Sequence, residues 1–377
     1  MKNILITGGA GFIGSNLSLQ LIERGYEVTV LDNLSPQIHG KNPEMSSPLF
    51  NSIKNSVNFI QGSVTSREDL EKAIVGQDAI VHLAAETGTG QSMYQIEHYC
   101  NVNIQGTAIL LDLLTNSNHE INKVVVASSR AIYGEGKYLS KEYGEVYPGH
   151  RNDANMLAGD FEVKYKNSSP LELAATDENS KIHPSSVYGI TKQLQEQLVL
   201  NVTGSLEIGG VALRYQNVYG PGQSLSNPYT GILSIFSNLI RLKQSINIFE
   251  DGKESRDFVF IDDAVEATIA GLESNKANGK AFNVGTGERT TVLEVVQALM
   301  KYLEIEVPFE ISGMFRKGDI RHNYADITQL RELLHFVPRV PFEEGIKKFV
   351  NWVKNQPVVE NKYQHSLEEM KDKGLFK

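Results

Sequence analysis

Residues Thr7-Gly8-Gly9-Ala10-Gly11-Phe12-Ile13-Gly14 form the stretch that decides the fold of this chain. An apolar run ends in this stretch and a helical pattern follows it, so its glycines lie at a turn from a strand to a helix. In this context Gly8 allows the tight turn, Gly11 lets the backbone approach a pyrophosphate, and Gly14 lets the helix pack closely on the strand. The phosphates then lie at the helix N-terminus, where backbone N–H groups attract anions. The stretch therefore predicts a dinucleotide-binding site.

Short apolar runs and helical patterns alternate through the first half of the chain. The runs that predict strands are 3–7, 26–31, 58–61, 79–83, 123–127 and, further along, 210–214, and the main helical patterns are 15–24, 68–74 and 101–116. Strands that alternate with helices predict a parallel sheet, and strands with few polar positions suit a sheet covered on both faces. The expected fold class is therefore α/β, with a Rossmann-type doubly wound parallel sheet.

The second half of the chain is mixed. Short strands are predicted at 246–249, 258–260 and 281–284, between helices such as 292–303. This pattern indicates a smaller mixed α/β substrate domain at the C-terminal side. We expect a dinucleotide-binding domain over 1–215 with a long insert at about 135–184, a mainly substrate-binding lobe over 216–355 with the chain crossing between lobes, and a polar tail over 356–377. The tail is expected to be a surface helix or a loose end.

The composition excludes several classes of protein. Hydrophobic residues make up 41% and charged residues 21% of the 377 residues, which is typical of a globular protein and not of a disordered chain. The net charge of −9 offers no basic surface for nucleic acid, and no run of eighteen apolar residues predicts a membrane span. Cys100 is the single cysteine, so an intramolecular disulfide is impossible. Because the short N-terminus enters a strand directly, the expected location is cytoplasmic, with no membrane or nucleic-acid partner.

Asp32 ends the second predicted strand, eighteen residues after Gly14. A carboxylate at this place accepts hydrogen bonds from both hydroxyls of an adenosine ribose and repels a 2′-phosphate. Asn33 and Leu34 follow, and no arginine is adjacent to bind such a phosphate. The sequence therefore predicts NAD rather than NADP as the cofactor.

A tyrosine and a lysine form the second decisive pattern, Tyr188-Gly189-Ile190-Thr191-Lys192. Residues four apart lie on the same face of a helix, and a nearby ammonium group favours the charged form of a phenol. Together with the dinucleotide site, this pair predicts a hydride-transfer enzyme whose base is a tyrosinate. His82 is expected to be a packed, hydrogen-bonded histidine rather than a catalytic one.

Further motifs follow one another along most of the chain. They are His82-Leu83-Ala84-Ala85, Asn103-Ile104-Gln105-Gly106-Thr107, Ser128-Ser129-Arg130-Ala131-Ile132-Tyr133-Gly134, Leu213-Arg214-Tyr215-Gln216-Asn217-Val218-Tyr219-Gly220-Pro221, Ser255-Arg256-Asp257-Phe258-Val259-Phe260-Ile261-Asp262-Asp263 and Arg316-Lys317-Gly318-Asp319-Ile320-Arg321. With the two patterns above, they resemble the extended short-chain dehydrogenase/reductase family of nucleotide-sugar-modifying enzymes. The resemblance implies a nucleotide-sugar substrate, bound NAD and a homodimer.

The resemblance also implies a role for each matching residue. As catalytic residues, Ser129 would hydrogen-bond the sugar hydroxyl, Tyr188 would be the acid/base, and Lys192 would bind the nicotinamide ribose and lower the pKa of the tyrosine. The residues implied to bind NAD are Gly8, Gly11, Phe12, Ile13, Gly14, Asp32, Asn33, Ser63, Val64, Leu83, Ala84, Ala85, Asn103, Tyr188, Lys192 and Tyr215. Those implied to bind the substrate are Thr87, Ser129, Arg130, Asn217, Arg256 and Arg321, with the arginines suited to a diphosphate.

The residues beside the catalytic Ser/Thr decide which reaction a member of this family performs after it oxidises C4 of the sugar. A 4,6-dehydratase carries an Asp-Glu pair there and a decarboxylase a glutamate, whereas this chain has Arg130 and Ala131, so neither reaction is expected. A 3,5-epimerase uses a cysteine near the substrate, but Cys100 lies on the helix before Asn103. Epimerisation at C4 and a net redox change at C4 remain.

Two segments, 128–136 and 214–233, resemble the dTDP-L-rhamnose 4-epimerases, which interconvert dTDP-L-rhamnose and dTDP-6-deoxy-L-talose. That reaction is the expected function. The alternatives are a UDP-hexose or UDP-uronate 4-epimerase, a nucleotide-sugar 4-reductase, and a non-catalytic dinucleotide sensor.

The chain departs from its expected relatives at two places. The insert at about 135–184 is longer than in simpler epimerases, and rhamnose-type relatives carry cysteines there with metal-binding spacing. This insert has no cysteine, so a thiolate zinc site is impossible, no metal is expected, and the insert must be held by packing. Ser63 replaces the aspartate that is usual beside the adenine, and it is a weaker hydrogen-bond acceptor than a carboxylate.

Overall fold

A seven-stranded parallel sheet lies at the centre of this computed structural model, which describes residues 1–225, 227, 229, 231–359 and 363–377. The strands are β1 (Asn3–Thr7), β2 (Glu27–Asp32), β3 (Asn58–Gln61), β4 (Ala79–His82), β5 (Lys123–Ser129), β6 (Tyr138–Ser140), β7 (Gly144–Val146), β8 (Glu172–Leu173), β9 (Gly209–Tyr215), β10 (Asn217–Tyr219), β11 (Ile246–Ile248), β12 (Ser255–Arg256), β13 (Phe258–Phe260), β14 (Lys280–Val284), β15 (Thr290–Thr291), β16 (Phe309–Ile311) and β17 (His322–Asn323). Ser226, Pro228 and Thr230, which belong to one of the segments that carry the rhamnose-type resemblance, lie outside the described residues.

Helices surround this sheet and build most of the C-terminal lobe. They are α1 (Phe12–Glu23), α2 (Pro36–His39), α3 (Pro43–Ser46), α4 (Pro48–Ile53), α5 (Arg67–Ile74), α6 (Thr89–Ser92), α7 (Ile96–Tyr99), α8 (Gly106–Asn116), α9 (Asp153–Leu157), α10 (Val187–Ser205), α11 (Ile232–Arg241), α12 (Ile261–Glu273), α13 (Val292–Leu303), α14 (Thr328–Leu334), α15 (Phe342–Lys354) and α16 (Tyr363–Asp372). Two 3₁₀ turns lie at Arg130–Tyr133 and Asn275–Ala277, and a π-helical turn, Cys100–Gln105, leads into α8.

The strand order of the central sheet is β14-β9-β5-β4-β1-β2-β3, and all its pairs are parallel. The chain leaves β1 first toward β2 and β3 and later returns to its other side with β4, so the order reverses at β1. In open parallel sheets, ligands bind outside the carboxyl ends of the strands at such a reversal. The predicted α/β, doubly wound fold is confirmed.

The sheet is covered on both faces because its strands alternate between two apolar cores. Ile4 and Ile6 of β1 contact one core together with Leu17 of α1, and α12 and the C-terminal lobe extend that core. Leu5, between them, contacts the other core, which includes Leu110 of α8. Each of these side chains is fully buried. The continuous apolar character of the strands therefore follows from burial on both sides.

The last strand of the sheet comes from the second half of the chain. The run at 281–284 was expected in the mixed C-terminal region, but β14 pairs in parallel with β9, with Ala281 opposite Ala212 and Phe282 opposite Leu213. The chain thus crosses back from the C-terminal lobe into the dinucleotide-binding sheet. In the lobe itself, short sheets form from β10 with β13, from β11 with β16, and from β15, β12 and β17.

The long insert folds as a small three-stranded antiparallel sheet of β7, β6 and β8. Tyr138, Val146 and Val163 form its buried apolar cluster. Met156 and Phe161 pack against Phe315 of the C-terminal lobe. Apolar packing holds the insert, as the absence of cysteines predicted, but buried ion pairs hold it as well.

Arg321 is the centre of these ion pairs, and its side chain is fully buried. Its guanidinium donates to both oxygens of Asp251 at 2.6 and 2.9 Å, to Glu250 at 3.1 Å and to Glu162 of the insert at 2.9 Å. Arg151 of the insert donates to Glu250 through two nitrogens, each at 2.7 Å. The insert is therefore joined to the C-terminal lobe by charge pairs, of which that between Arg151 and Glu250 is shielded from water on both sides.

The C-terminal tail is a packed surface helix rather than a loose end. Leu367 and Met370 of α16 and Phe376 after it are buried together. Lys377 and Phe315 exchange two backbone hydrogen bonds, at 2.8 and 3.0 Å, so the last residues pair with the 315–317 segment. Residues 360–362 of the tail lie outside the described part of the chain. None of the described helices is long and apolar enough to cross a membrane.

Replacing Arg321 with alanine should lower the free energy of unfolding by about 3 kcal/mol, because the buried carboxylate of Glu250 and the partly exposed carboxylate of Asp251 then lose a cation. Urea unfolding measures this loss. Lys253→Ala is the matched control, since Lys253 pairs with the same Asp251 but is 73% exposed, and it should change stability by less than about 0.5 kcal/mol. Equal losses in the two variants would contradict a structural role for the buried network.

Candidate active site

The glycine-rich turn is built by close contact between backbone segments. Gly8 has a φ of +70°, and a Cβ atom there would lie 2.7 Å from the backbone nitrogen of Ala84. A Cβ on Gly14 would lie 2.5 Å from the carbonyl oxygen of Gly8. At Gly11, the N-cap of α1, an added Cβ meets only one atom, at 3.3 Å, so this side of the turn is open. The open face can receive a pyrophosphate, which fits the predicted cofactor.

Asp32 lies at the carboxyl end of β2, beside this turn. Its carboxylate accepts hydrogen bonds from the backbone N–H groups of Ala10 at 3.0 Å and Leu34 at 2.8 Å. The Nε2 atom of His39 lies 3.8 Å from the same carboxylate. Burial lowers the pKa of His39, although the charge of Asp32 acts in the opposite direction, so the histidine is neutral at pH 7. A neutral partner leaves the negative charge of Asp32 available to ribose hydroxyls.

Tyr188 and Lys192 lie one turn apart at the start of α10, where Ser186 caps the helix by accepting from the N–H of Gly189 at 3.1 Å. Burial raises the pKa of Tyr188, while its hydrogen bond with Ser129 and the charge of Arg130 lower it. Ser129 also accepts from the backbone N–H of Ala131, at 3.1 Å, which fixes its hydroxyl at the end of β5.

Lys192 is bound to the end of β5. Its ammonium group donates to the carbonyl oxygen of Ala127 at 3.0 Å. Burial lowers the pKa of Lys192 to about 7. On balance the pKa of Tyr188 is raised, because burial outweighs the opposing effects of its hydrogen bond with Ser129 and of the charge of Arg130. That Lys192 lowers the pKa of Tyr188 stays a prediction of the sequence.

Arg130 and Asn217 form the other end of the site. The Nε atom of Arg130 donates to Asn217 at 2.6 Å. Burial lowers the pKa of Arg130 to about 9, an effect to which the nearby charge of Arg256 adds and which Asp319 opposes. A partly buried guanidinium whose hydrogen-bond partner is a neutral amide retains its attraction for an anion. This end of the site therefore suits the diphosphate of a substrate.

These groups line one cavity of about 510 Å³ at the carboxyl ends of the parallel strands. Most of the residues predicted from the sequence line it: Gly8, Gly11, Phe12, Ile13, Gly14, Asp32, Asn33, Ser63, Val64, Leu83, Ala84, Ala85, Thr87, Ser129, Arg130, Tyr188, Lys192, Tyr215 and Asn217. Residues from the first strand to the tenth thus meet around a single space large enough for a cofactor and a substrate.

Three predicted site residues do not line the cavity. Asn103 is fully buried and hydrogen-bonds to both backbone groups of Glu86, at 2.7 and 3.0 Å, so it shapes the wall from behind. Arg256 donates to backbone carbonyls, among them that of Ile320 at 2.7 Å. Arg321 is enclosed by the carboxylates described above. The predicted direct contact of Arg321 with the substrate is therefore corrected, because both terminal nitrogens of its guanidinium already donate to carboxylates.

Several cavity residues were missed by the sequence analysis. They are Gln37, His39, Glu86, Thr89, Gln223 and Tyr229. Most lie in loops or short helices with no periodic pattern. A signal was given by the position of Glu86 directly after the Leu83-Ala84-Ala85 motif and by the position of Gln223 and Tyr229 within the segment 214–233. Glu86 places a carboxylate in the cavity, with its Oε1 atom 3.2 Å from Nε2 of His98.

His82 is a packed histidine, as predicted. Its two ring nitrogens lie 2.8 Å from the hydroxyl of Thr7 and 2.9 Å from that of Thr107, and the ring is fully buried. These bonds join the end of β1 to α8 directly under the glycine-rich turn. Burial, with the charge of Lys192 as a smaller cause, lowers the pKa of His82 to about 3.

Comparison with known proteins identifies the family. The sequence profile of the NAD dependent epimerase/dehydratase family matches residues 4–156 and 163–285. The chain belongs to this family. It is 35% identical to the dTDP-L-rhamnose 4-epimerase of Burkholderia thailandensis over 354 residues, which are 93% of this chain and 95% of that protein. It is 32% identical to a putative UDP-glucose 4-epimerase of Methanocaldococcus jannaschii, over 93% of this chain and 98% of that protein.

A solved structure agrees with these relatives. The UDP-glucuronic acid 4-epimerase of Bacillus cereus, in complex with UDP-glucuronic acid and NAD, has a TM-score of 0.75 and 26% identity, and the match covers 93% of this chain and 99% of that one. The predicted family and the NAD cofactor are confirmed. The predicted reaction class, an NAD-dependent nucleotide-sugar 4-epimerase, is confirmed.

The stability of the protein should fall in acid partly because of His82. Since its folded pKa is about 3, the unfolded chain takes up a proton first as the pH falls below about 6.5, and the stability that neutral His82 contributes above that pH is lost progressively. Between pH 7 and pH 5 this loss is about 2 kcal/mol. Urea unfolding of the wild type and of His82→Gln at both pH values measures this loss, because the variant has no histidine at this position to take up a proton. Parallel losses in the two proteins would show that His82 is not buried as described.

Proposed function

We propose that this protein interconverts dTDP-L-rhamnose and dTDP-6-deoxy-L-talose by epimerisation at C4. The observation that carries the proposal is the composition of the cavity, in which Ser129 and Tyr188 adjoin the glycine-rich turn while Arg130 and Ala131 follow the serine. An epimerisation at one carbon requires one acid/base and a hydride carrier, and it requires no group to remove water. The 35% identity to a dTDP-L-rhamnose 4-epimerase over most of both chains supports the choice of sugar.

Tyr188 is the proton acceptor and donor in this proposal. Its phenolate form, which the charge of Arg130 favours, takes the proton of the sugar C4 hydroxyl, and the phenol so formed gives the proton back. The Ser129 hydroxyl next to it orients the same sugar oxygen. When bound, NAD supplies the hydride acceptor and donor, and its nicotinamide brings a positive charge to this end of the cavity. Arg130 and Asn217 bind the diphosphate, so the nucleotide stays fixed while the ketone turns to present its opposite face.

A UDP-hexose or UDP-uronate 4-epimerase is the second candidate. It is favoured by the relative named as a putative UDP-glucose 4-epimerase and by the solved UDP-glucuronic acid 4-epimerase described above. Within this second candidate, Glu86 favours the UDP-hexose over the UDP-uronate, because a carboxylate in the cavity repels the carboxylate of a uronate. A nucleotide-sugar 4-reductase differs in releasing its oxidised cofactor after each turnover.

Proton NMR of dTDP-L-rhamnose incubated with purified protein, with no added cofactor, tests the proposal. The expected result is a new anomeric signal from the talo sugar, with NAD retained by the protein. Turnover of UDP-glucose or UDP-glucuronic acid but not of dTDP-L-rhamnose would overturn the choice of substrate. Turnover only with added NADH would identify a reductase.

Tyr188→Phe should lower kcat for the accepted sugar at least about a hundredfold, because the phenol is the only acid/base in the proposed reaction. Steady-state kinetics and circular dichroism measure the activity and the fold. Tyr143→Phe is the matched control, since Tyr143 is an exposed tyrosine of the insert and its loss should leave kcat unchanged. Activity of Tyr188→Phe within about tenfold of the wild type would remove Tyr188 from its proposed role.

A homodimer and a cytoplasmic location stay predictions of the sequence. Ile96 and Ile190 are apolar, 52% and 45% exposed, and they lie on α7 and α10, which are neighbouring helices. Such exposed apolar side chains support a protein contact at these helices.

A further inference from the structure

The C-terminal helix contacts the wall of the active-site cavity through one carboxylate. The Oε2 atom of Glu369, on α16, accepts hydrogen bonds from the hydroxyl of Tyr229 at 2.7 Å and from that of Tyr94 at 3.1 Å. Tyr229 lines the cavity, in the connection between β10 and α11. Tyr94 follows α6, whose first residue, Thr89, also lines the cavity. Glu369 therefore ties two separate parts of the cavity wall to each other from outside.

The segment that carries Tyr94 also supports the catalytic tyrosine. The hydroxyl of Ser92, two residues before Tyr94, accepts from the backbone N–H of Tyr188 at 3.0 Å. Tyr99 donates to the carbonyl oxygen of Thr87 at 2.6 Å and so holds the other end of this segment. Glu369 thus ties Tyr229 to the segment that contacts the backbone of Tyr188.

The helix that presents Glu369 is fixed by contacts of its own. Leu367 and Met370 are buried, and an added Cβ on Gly90 of α6 would lie 3.0 Å from the sulfur of Met370. The residues after the helix pair with the 315–317 segment through Lys317 and Leu375, at 2.9 Å. A carboxylate on an anchored helix can fix the side chains that donate to it, because it does not move with them.

Tyr94 and Tyr229 are both hydrogen-bond donors to the carboxylate of Glu369. Burial raises the pKa of Tyr94 and of Tyr229, so both hydroxyls keep their protons. Hydrogen bonds from a hydroxyl to a carboxylate are stronger than those between neutral groups. The further contact of Glu369 with His365, at 3.4 Å, is to a side chain that is 74% exposed, and exposed pairs contribute little.

We propose that Glu369 is a positioning residue that holds Tyr229 over the catalytic end of the cavity, so that the tail formed by residues 363–377 closes the cavity on the sugar. The geometric part of this proposal is independent of the reaction. Its consequence for catalysis rests on the proposed 4-epimerase function, in which a ketone must remain in the cavity between two hydride transfers.

Escape of that ketone has a measurable result. In the first half of the reaction, the C4–H bond breaks and its hydride reduces the cofactor, while the proton of the C4 hydroxyl goes to the phenolate of Tyr188. If the 4-keto sugar leaves at this point, the enzyme retains the reduced cofactor and a protonated tyrosine and cannot complete the turnover. A cavity that closes poorly therefore accumulates reduced cofactor, which absorbs at 340 nm.

The experiment compares Glu369→Ala, Glu369→Gln and Tyr229→Phe with the wild type and with Glu368→Ala. Glu368 is the control because it is an exposed carboxylate on the same helix. Hydrogen exchange of the peptides that span 217–233 and 86–99 measures, without any substrate, how firmly the segments that carry Tyr229 and Tyr94 are held. Kinetics with the accepted sugar give KM, kcat and the rate at which absorbance at 340 nm rises.

Glu369→Ala and Tyr229→Phe should both speed exchange in the 217–233 peptide at least about fivefold, raise KM about tenfold with kcat changed less than threefold, and increase the rise at 340 nm. Glu369→Gln, which keeps an acceptor oxygen, should restore part of each effect, and Glu368→Ala should match the wild type.

Unchanged exchange in Glu369→Ala would overturn the positioning role, whatever the reaction is. Faster exchange with no turnover of any nucleotide sugar by the wild type would uphold the positioning role and reject the proposed function. Faster exchange with wild-type KM and no rise at 340 nm would show that the contact does not close the cavity.

Discussion

The approach of α1 to the end of β1 is the constraint on which the rest of the site depends. With only a hydrogen atom on Gly14, the helix begins against the carbonyl of Gly8, and its first N–H groups face the cavity. The hydrogen bond from Ala10 to Asp32 then fixes the glycine-rich turn to the end of the next strand. The surfaces for a pyrophosphate and for a ribose are thus set by backbone contacts, before any ligand is present.

Arg321 and Arg130 show how the same side chain serves different purposes. Both terminal nitrogens of Arg321 donate to carboxylates, whereas Arg130 donates to the neutral amide of Asn217. Burial without a counter-ion costs free energy, and the lowered pKa of Arg130 reflects that cost. The negative charge of a bound diphosphate would offset this cost. The site therefore favours ligands that carry a diphosphate over uncharged ones.

The fold and the centre of the site follow from local patterns. The six strands predicted for the central sheet, the glycine-rich turn and the Tyr188/Lys192 spacing each depend on residues close in sequence, and the structure places them as expected. The strand at 281–284 is the exception, because its partner β9 is distant in the chain. The roles of Asn103 and Arg321 depend instead on partners that are distant in the chain, such as Glu162 for Arg321. No periodicity reveals which carboxylate will meet an arginine, so a motif match alone placed Arg321 in the site.

The origin of β14 has a consequence for the synthesis of the protein. The open edge of β9 is paired only when Lys280–Val284 has left the ribosome, after the first elements of the C-terminal lobe. Until then the nascent sheet exposes a row of unpaired backbone groups along an apolar strand, a surface prone to aggregation. A chain interrupted between these two strands would carry the nucleotide-binding motifs but not the edge that protects them. The central sheet is therefore complete only when part of the second half of the chain has been made.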